Sequence, residues 1–257
     1  MNGLYSLIIA VSMYSKIPMP AVSWERERMG YVMCWFPVVG VAEGILLAFW
    51  CIVGNKMNFP YIITAIVGVA LPLLLTGGIH MDGFLDTVDA RSSYGDREKK
   101  LEILKDPHIG AFGVIGSLSY LLLYLGAMAL LAWKGFLWAA GPVFIMERAL
   151  SGLSVVFFPC AKNSGLAAAF SDGAKRQAAG LACLAWAAAA GAWMGLLSGW
   201  ACALGLAAVQ LGCLGAYYRM ALKEFGGITG DLAGYFLQVS EAASLWWLAV
   251  WASVLAV

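Results

Sequence analysis

Apolar and polar positions along this chain fall into long blocks and do not alternate. Apolar runs with at most a pair of charges cover about 31–53, 60–77, 111–132, 136–158, 178–198, 199–219 and 234–257. Most approach or exceed the ~20 residues with which a helix spans the hydrocarbon core of a bilayer. The pattern therefore predicts about seven membrane-crossing helices. The fifth and sixth runs are nearly contiguous, which predicts a tight antiparallel pair. The first fourteen residues are apolar but short, as expected of an interfacial or re-entrant segment. No basic region precedes them, and Lys16-Ile17-Pro18-Met19-Pro20 is a poor cleavage site, so a removed signal peptide is not expected.

The polar stretches between the runs differ in charge. Counting Lys and Arg from the N-terminus gives three, one, five, one, three, none and two. Basic residues collect in loops on the cytoplasmic side of a membrane. This alternation predicts that the N-terminus and the segments 78–110, 159–177 and 219–233 share the cytoplasmic face, with the C-terminus opposite. Composition agrees with the class: 62% of residues are hydrophobic and 12% are charged, against about 25% charged in soluble domains. The fold expected is all-α, a single polytopic membrane domain over 1–257. A net charge of +1 and the lack of a Lys/Arg-rich arm argue against nucleic acid as a partner. The six cysteines include no CxxC pair and read as small buried apolar residues. The small residues of 178–219 permit close helix packing, within one chain or between copies in a homo-oligomer.

Charge is concentrated between Gly77 and Gly113, where seven of the chain's fifteen acidic residues lie. Asp82, Asp86 and Asp89 are spaced i, i+4, i+7 and fall within about 60° of one another on a helix. Three like charges on one face repel. A divalent cation removes that repulsion, and Mg²⁺ takes a few carboxylates together with substrate phosphates. Gly77 and Gly78 precede the stripe and let the backbone approach a ligand. Arg97, Lys99, Lys100 and Lys105 follow it, and such cations suit a phosphate. Lys105 and Asp106 open Lys105-Asp106-Pro107-His108-Ile109-Gly110. A second stretch, Gly226-Gly227-Ile228-Thr229-Gly230-Asp231, repeats the G-G-I-x-x-D order of Gly77 to Asp82. Two turns of similar build facing one ligand are expected. Within the apolar runs stand Glu43, Glu147, Arg148 and Glu241, and ionisable residues at such depth point to function. Glu147 and Arg148 project about 100° apart and are not expected to be simple partners. Glu43 reads as a structural hydrogen-bonding residue.

These residues resemble the cobalamin synthase family over essentially the whole chain. The resemblance is carried by Lys16-Ile17-Pro18-Met19-Pro20, Phe36-Pro37-Val38-Val39-Gly40, Thr76 to Gly83 with Asp86-Thr87-Val88-Asp89, and Leu101 to Asp106 with Gly110 and Gly113. Arg148, Gly226 to Asp231 and Glu241 complete it. Ala90 departs from the pattern, since a glycine usually follows the last aspartate of the stripe. The resemblance implies an Mg²⁺-dependent enzyme of the prokaryotic inner membrane, active on its cytoplasmic face. Its implied substrates are adenosylcobinamide-GDP and α-ribazole or α-ribazole 5′-phosphate, its products adenosylcobalamin or the phosphate of it, and GMP. Asp82, Asp86, Asp89 and Asp231 would hold the metal. Lys105 and Arg148 would contact phosphate, and His80 or Asp89 would act as base. Asp106 belongs to the same catalytic set, and Gly77, Gly78, Gly110, Thr229 and Gly230 would line the substrate. Two other readings compete. One is a phosphotransferase acting on a nucleotide-activated lipid, although the D-G-x-x-A-R pattern of CDP-alcohol enzymes is absent. The other is a cation transporter using Glu43, Glu147 and Glu241, which the crowding of polar motifs on one face disfavours.

Overall fold

A computed structural model describes residues 2–162 and 164–255. It is helical throughout, with no strand among the described residues. The helices are α1 (Asn2–Tyr14), α2 (Arg26–Met29), α3 (Val32–Trp35), α4 (Pro37–Lys56), α5 (Tyr61–Thr76), α6 (Ile79–Ser92) and α7 (Arg97–Ile103). After these come α8 (Ala111–Trp133), α9 (Ala140–Phe157), α10 (Leu166–Gly173), α11 (Arg176–Ser198), α12 (Trp200–Met220) and α13 (Gly230–Leu255).

Five stretches are long and apolar enough to cross a membrane: Pro37–Lys56, Ala111–Trp133, Leu137–Phe157, Arg176–Ser198 and Trp200–Phe225. A sixth is added if α5 and α6 count as one broken span. Two of the seven expected runs are not among these five stretches. The run at 60–77 yields a helix of only 16 residues, and the chain then turns through 94° into α6. The last run forms a helix of 26 residues, but Gln238, Ser240, Glu241 and Ser244 dilute its apolar character; residues 256–257 of that run lie outside the described part. The antiparallel pair appears as α11 and α12, joined at Gly199 and packed together. The N-terminal segment is the 13-residue helix α1, too short to cross; its Ile9 and Ala10 are buried and it packs on α2 and α3.

The helix at the centre is α9. In the stretch Leu137–Phe157, 89% of the apolar window is buried inside the protein, while the other four windows are 28–39% buried. It packs against α4, α11 and α13. That position explains how Glu147 and Arg148 can occupy an apolar stretch: they face other helices. The outer helices leave Ile45, Phe49, Leu122, Leu181 and Leu204 exposed, the surface a bilayer would cover. The short helix α6 carries Asp82, Asp86, Asp89 and Arg91, lies outside the five crossing stretches, and packs between α8 and α13. Of the cysteines, Cys183 and Cys202 are fully buried, the others are half-buried, and none is in a disulfide.

Candidate active site

The two G-G-I-x-x-D stretches open alike, each with a left-handed glycine that closes a helix, and then diverge: Gly78 stays left-handed at φ 76° and leads straight into α6, whereas Gly227 is at φ 153° and Ile228 pairs with Cys160 before α13 begins. Helix α5 ends when Gly77 takes φ 65°, with Gly78 N–H donating to the Leu73 carbonyl at 2.9 Å. A left-handed residue closing a helix in this way is nearly always glycine. Gly78 continues at φ 76°, and α6 begins at once. At the second stretch a π turn over Ala221–Phe225 ends at Gly226, φ 75°, and α13 begins at Gly230. Asp82 and Asp231 each fall in the first turn of the following helix. The helices then meet at their beginnings. A Cβ on Gly83 would stand 2.7 Å from the Asp231 carbonyl oxygen, and one on Gly234 would stand 2.9 Å from that of His80. This reciprocal backbone contact brings two aspartates and two positive helix ends to one place. Of the two similar turns expected, the structure shares the left-handed first glycine and the meeting of the two following helices; the backbone between glycine and aspartate differs.

The aspartates of the stripe do not play one part. Asp82 is exposed, and Asp86 and Asp89 are half-buried. Partial burial, and then the charges of Asp82, Asp231 and Asp89, push the Asp86 carboxyl up to about 6. Asp82, Asp86 and Asp231 thus form an acidic group under mutual repulsion. Asp89 is occupied elsewhere: its carboxylate accepts from Gly110 N–H at 2.7 Å and Gly113 N–H at 2.8 Å. It caps the start of α8, whose first amides have no partner within the helix. Each Asp89 oxygen thus has one lone pair engaged by the cap and one left over, and Gly110 serves the cap through its amide. Among the described residues no three His, Cys, Asp or Glu side chains stand close enough together to hold a metal ion by themselves. The oxygen donors of Asp82, Asp86 and Asp231 suit Mg²⁺ chemically, with the remaining ligands left to water and phosphate. Replacing Asp89 with Ala should lower thermal stability by about 1–2 kcal/mol, the cost of a lost cap. Melting in detergent should show the same loss with and without Mg²⁺, whereas loss of a metal ligand would show only with Mg²⁺ present.

Besides an open cavity that Asp82 shares with Lys16, Gly77 and Gly78, two more adjoin the acidic group. The first is a cleft of about 880 Å³ that Asp82, Asp231 and His80 share with Tyr14, Phe36 and Phe170. The His80 ring is buried, stacked on Tyr14 and edge-on to Phe36, each at 5.9 Å between centroids, and its Nε2 has no hydrogen-bond partner among the described residues. The second cavity, about 650 Å³, is lined by Lys105, Lys162, Thr229, Gly230 and Asp231 among others. Thr229 Oγ1 accepts from Leu232 N–H at 3.2 Å, an N-cap for α13. Asp106 lines neither cavity; it is exposed, and its carboxylate accepts from the His108 N–H at 3.0 Å and meets the ring at 2.7 Å.

Arg148 lies deeper. It is 1% exposed, donating from Nη2 to Glu43 at 2.6 Å and from Nη1 to Glu147 at 2.7 Å and to the Phe144 carbonyl at 3.1 Å. Glu241 lies in the same buried cluster, paired with the Tyr124 hydroxyl. Glu147 and Arg148 are therefore partners after all, because a long side chain spans the 100° between neighbouring positions. The Arg148 terminal nitrogens thus meet carboxylates and a backbone carbonyl, and its Nε has no partner among the described residues. His80 separates this cluster from the cleft and lines both. Sequence reasoning missed Tyr14, Phe36 and Lys162 as neighbours of the site. The first two lay in quoted or apolar stretches with no chemical signal, and Lys162 counted only as a topological charge.

The family profile described as Cobalamin-5-phosphate synthase matches residues 6–249. A protein of Lachnoclostridium phytofermentans named adenosylcobinamide-GDP ribazoletransferase is 42% identical over 237 residues, 92% of this chain and 90% of that one. Proteins of the same name from Pseudomonas entomophila and Clostridium botulinum are 33% and 30% identical, over 94% and 95% of this chain and 97% and 96% of theirs. No solved structure matches. The motifs that meet at the head of α6 and α13 lie within the matched region, and the chain belongs to the cobalamin-5-phosphate synthase family.

Proposed function

We propose that the chain transfers the adenosylcobinamide-phosphate moiety of adenosylcobinamide-GDP to a ribose hydroxyl of α-ribazole or its 5′-phosphate, releasing GMP. The relatives' shared name supports this over a nucleotide-activated lipid or the movement of a cation. The observation that carries it is the meeting of the two glycine turns, which sets Asp82 and Asp231 at two positive helix ends beside an aromatic cleft. Displacement at a diphosphate needs reactants held in line and charge neutralised. Helix ends and Lys105 attract the diphosphate. The cleft walls of Tyr14, Phe36 and Phe170 suit a flat uncharged ring and exclude water from it. Asp82, Asp86 and Asp231 would hold Mg²⁺, which when bound neutralises phosphate oxygens. His80 Nε2, buried, unpartnered and lining the cleft beside Asp82, would receive the hydroxyl proton. The membrane is that of a prokaryote, with the site on its cytoplasmic face.

Purified protein in liposomes, supplied with adenosylcobinamide-GDP and α-ribazole, should release GMP and a cobalamin product with Mg²⁺ and not with EDTA. A folded sample that forms no product under either condition would refute the transferase reading. Product in EDTA would refute the metal requirement alone.

A further inference from the structure

The cavity beyond Asp231 has walls from three separate segments. Leu104 and Lys105 follow α7, Lys162 and Ser164 precede α10, and Ile228 to Asp231 belong to the second glycine turn. A parallel bridge binds the second segment to the third: Ala161 N–H donates to the Ile228 carbonyl at 2.9 Å, and Ile228 N–H to the Pro159 carbonyl at 2.8 Å. Gly227 permits this approach, for a Cβ there would stand 2.5 Å from Ala161 N. Lys162 Nζ donates to the Leu101 carbonyl at 3.1 Å, which ties it to α7 as well.

The result is two ammonium groups brought close together. Burial, and then the neighbouring Lys105, hold the Lys162 ammonium below its ordinary range, with Asp231 pulling the other way. Neither lysine has a salt bridge among the described residues. Like charges in one cavity repel, and a dianion between them reverses the sign. The positive end of α13 opens on the same wall.

We infer that Lys105 and Lys162 form a seat for a phosphate monoester carried by one reactant, and that Lys162 makes the enzyme prefer the phosphorylated form of it. This rests on the transferase reading. Leu166, Ala167, Gly230 and Asp231 line both this cavity and the aromatic cleft. A reactant can thus place an uncharged ring in one and a phosphate in the other, with the acidic group between. Two molecules in the reaction have that form, α-ribazole 5′-phosphate and the departing GMP.

The test compares wild type with Lys162→Ala, Lys162→Arg and Lys105→Ala, using α-ribazole and its 5′-phosphate in parallel and GMP as inhibitor. Losing a charge-assisted contact costs ~10- to 100-fold. With the acceptor seated there, kcat/KM for the phosphate falls at least ~tenfold further than for α-ribazole in both alanine variants, and Lys162→Arg recovers most of it. If the acceptor ratio holds while GMP inhibits ~tenfold more weakly, the acceptor preference is overturned and the two lysines seat the nucleotide instead. Equal losses on both acceptors with unchanged GMP inhibition overturn the seat as well. Should wild type form no product, the transferase reading fails by itself. Equilibrium binding of α-ribazole 5′-phosphate and of GMP, read without turnover, then decides the seat: weaker binding of either to Lys162→Ala supports it, and unchanged binding of both ends it.

Discussion

Asp82→Asn should lower product formation by about 10³-fold, the scale on which removing one preorganised charge-stabilising group acts, while membrane yield stays at the wild-type level. Its carboxylate is exposed at the head of α6, against the backbone contact that Gly83 makes with Asp231. The start of α6 favours that charge by only ~0.3–1 kcal/mol, and repulsion from Asp86 and Asp231 opposes it. Stability should even rise, and the pH at which it rises follows from Asp86. Burial and the neighbouring carboxylates push that carboxyl up to about 6 in the folded protein, against 3.8 for an unperturbed aspartate. Between those values the native state binds more protons than the unfolded one, so stability falls as pH rises through about 4 to 6 and stays reduced above. Asp82 is the largest charge among the causes, after burial. Removing it relieves repulsion only where Asp86 is ionised. The melting temperature of Asp82→Asn should therefore exceed that of wild type at pH 8 without Mg²⁺, and match it at pH 4. Retained turnover would remove Asp82 from the active site, and a lower melting temperature at pH 8 would make it structural.

Arg148→Met should be the most destabilising single change in the bundle, by about 3–5 kcal/mol, because it strands buried charges that had a partner. The guanidinium ties Glu43 on α4 to Glu147 on α9, both fully enclosed. The double change Glu43→Gln with Arg148→Met should recover part of the loss, since it leaves fewer uncompensated carboxylates. Melting of the purified proteins in one detergent measures both. A small loss in the single variant would mean that the cluster contributes little to the fold. An active-site role for Arg148 would appear as lost turnover in a protein that melts normally.

Much of this was legible in the sequence because periodicity carries it. The i, i+4, i+7 spacing placed three aspartates on one helical face, and the repeated G-G-I-x-x-D order marked two turns that each close a helix at a left-handed glycine and deliver an aspartate to the next one. What escaped depended on partners distant along the chain. No spacing rule tells that Asp89 meets the amides of Gly110 and Gly113, because that requires α8 to begin beside α6. Gly77 and Gly78 were read as room for a ligand; they also end α5 after 16 residues and turn the chain through 94°, which makes α5 and α6 a broken pair where one straight span was expected. Glu147 and Arg148 were separated by a rule about where Cβ points, and the reach of arginine exceeds that rule. Lys162 looked like a mark of topology, since its place beside Lys105 depends on the bridge between Cys160 and Ile228.

The enclosure of α9 also has a consequence for how the chain is made. A ribosome delivers α4 first, α9 after it and α13 last. When Arg148 reaches the bilayer, Glu43 is already there to receive it, and Glu147 arrives in the same helix. Glu241 joins only when synthesis is nearly complete. The arginine therefore has carboxylate partners from the moment it enters the bilayer, and the third acid closes the cluster as the final helix docks. The order of the charges along the chain is thus also an order of assembly, in which the helix least suited to lipid enters between a helix that already holds its partner and one that seals it in.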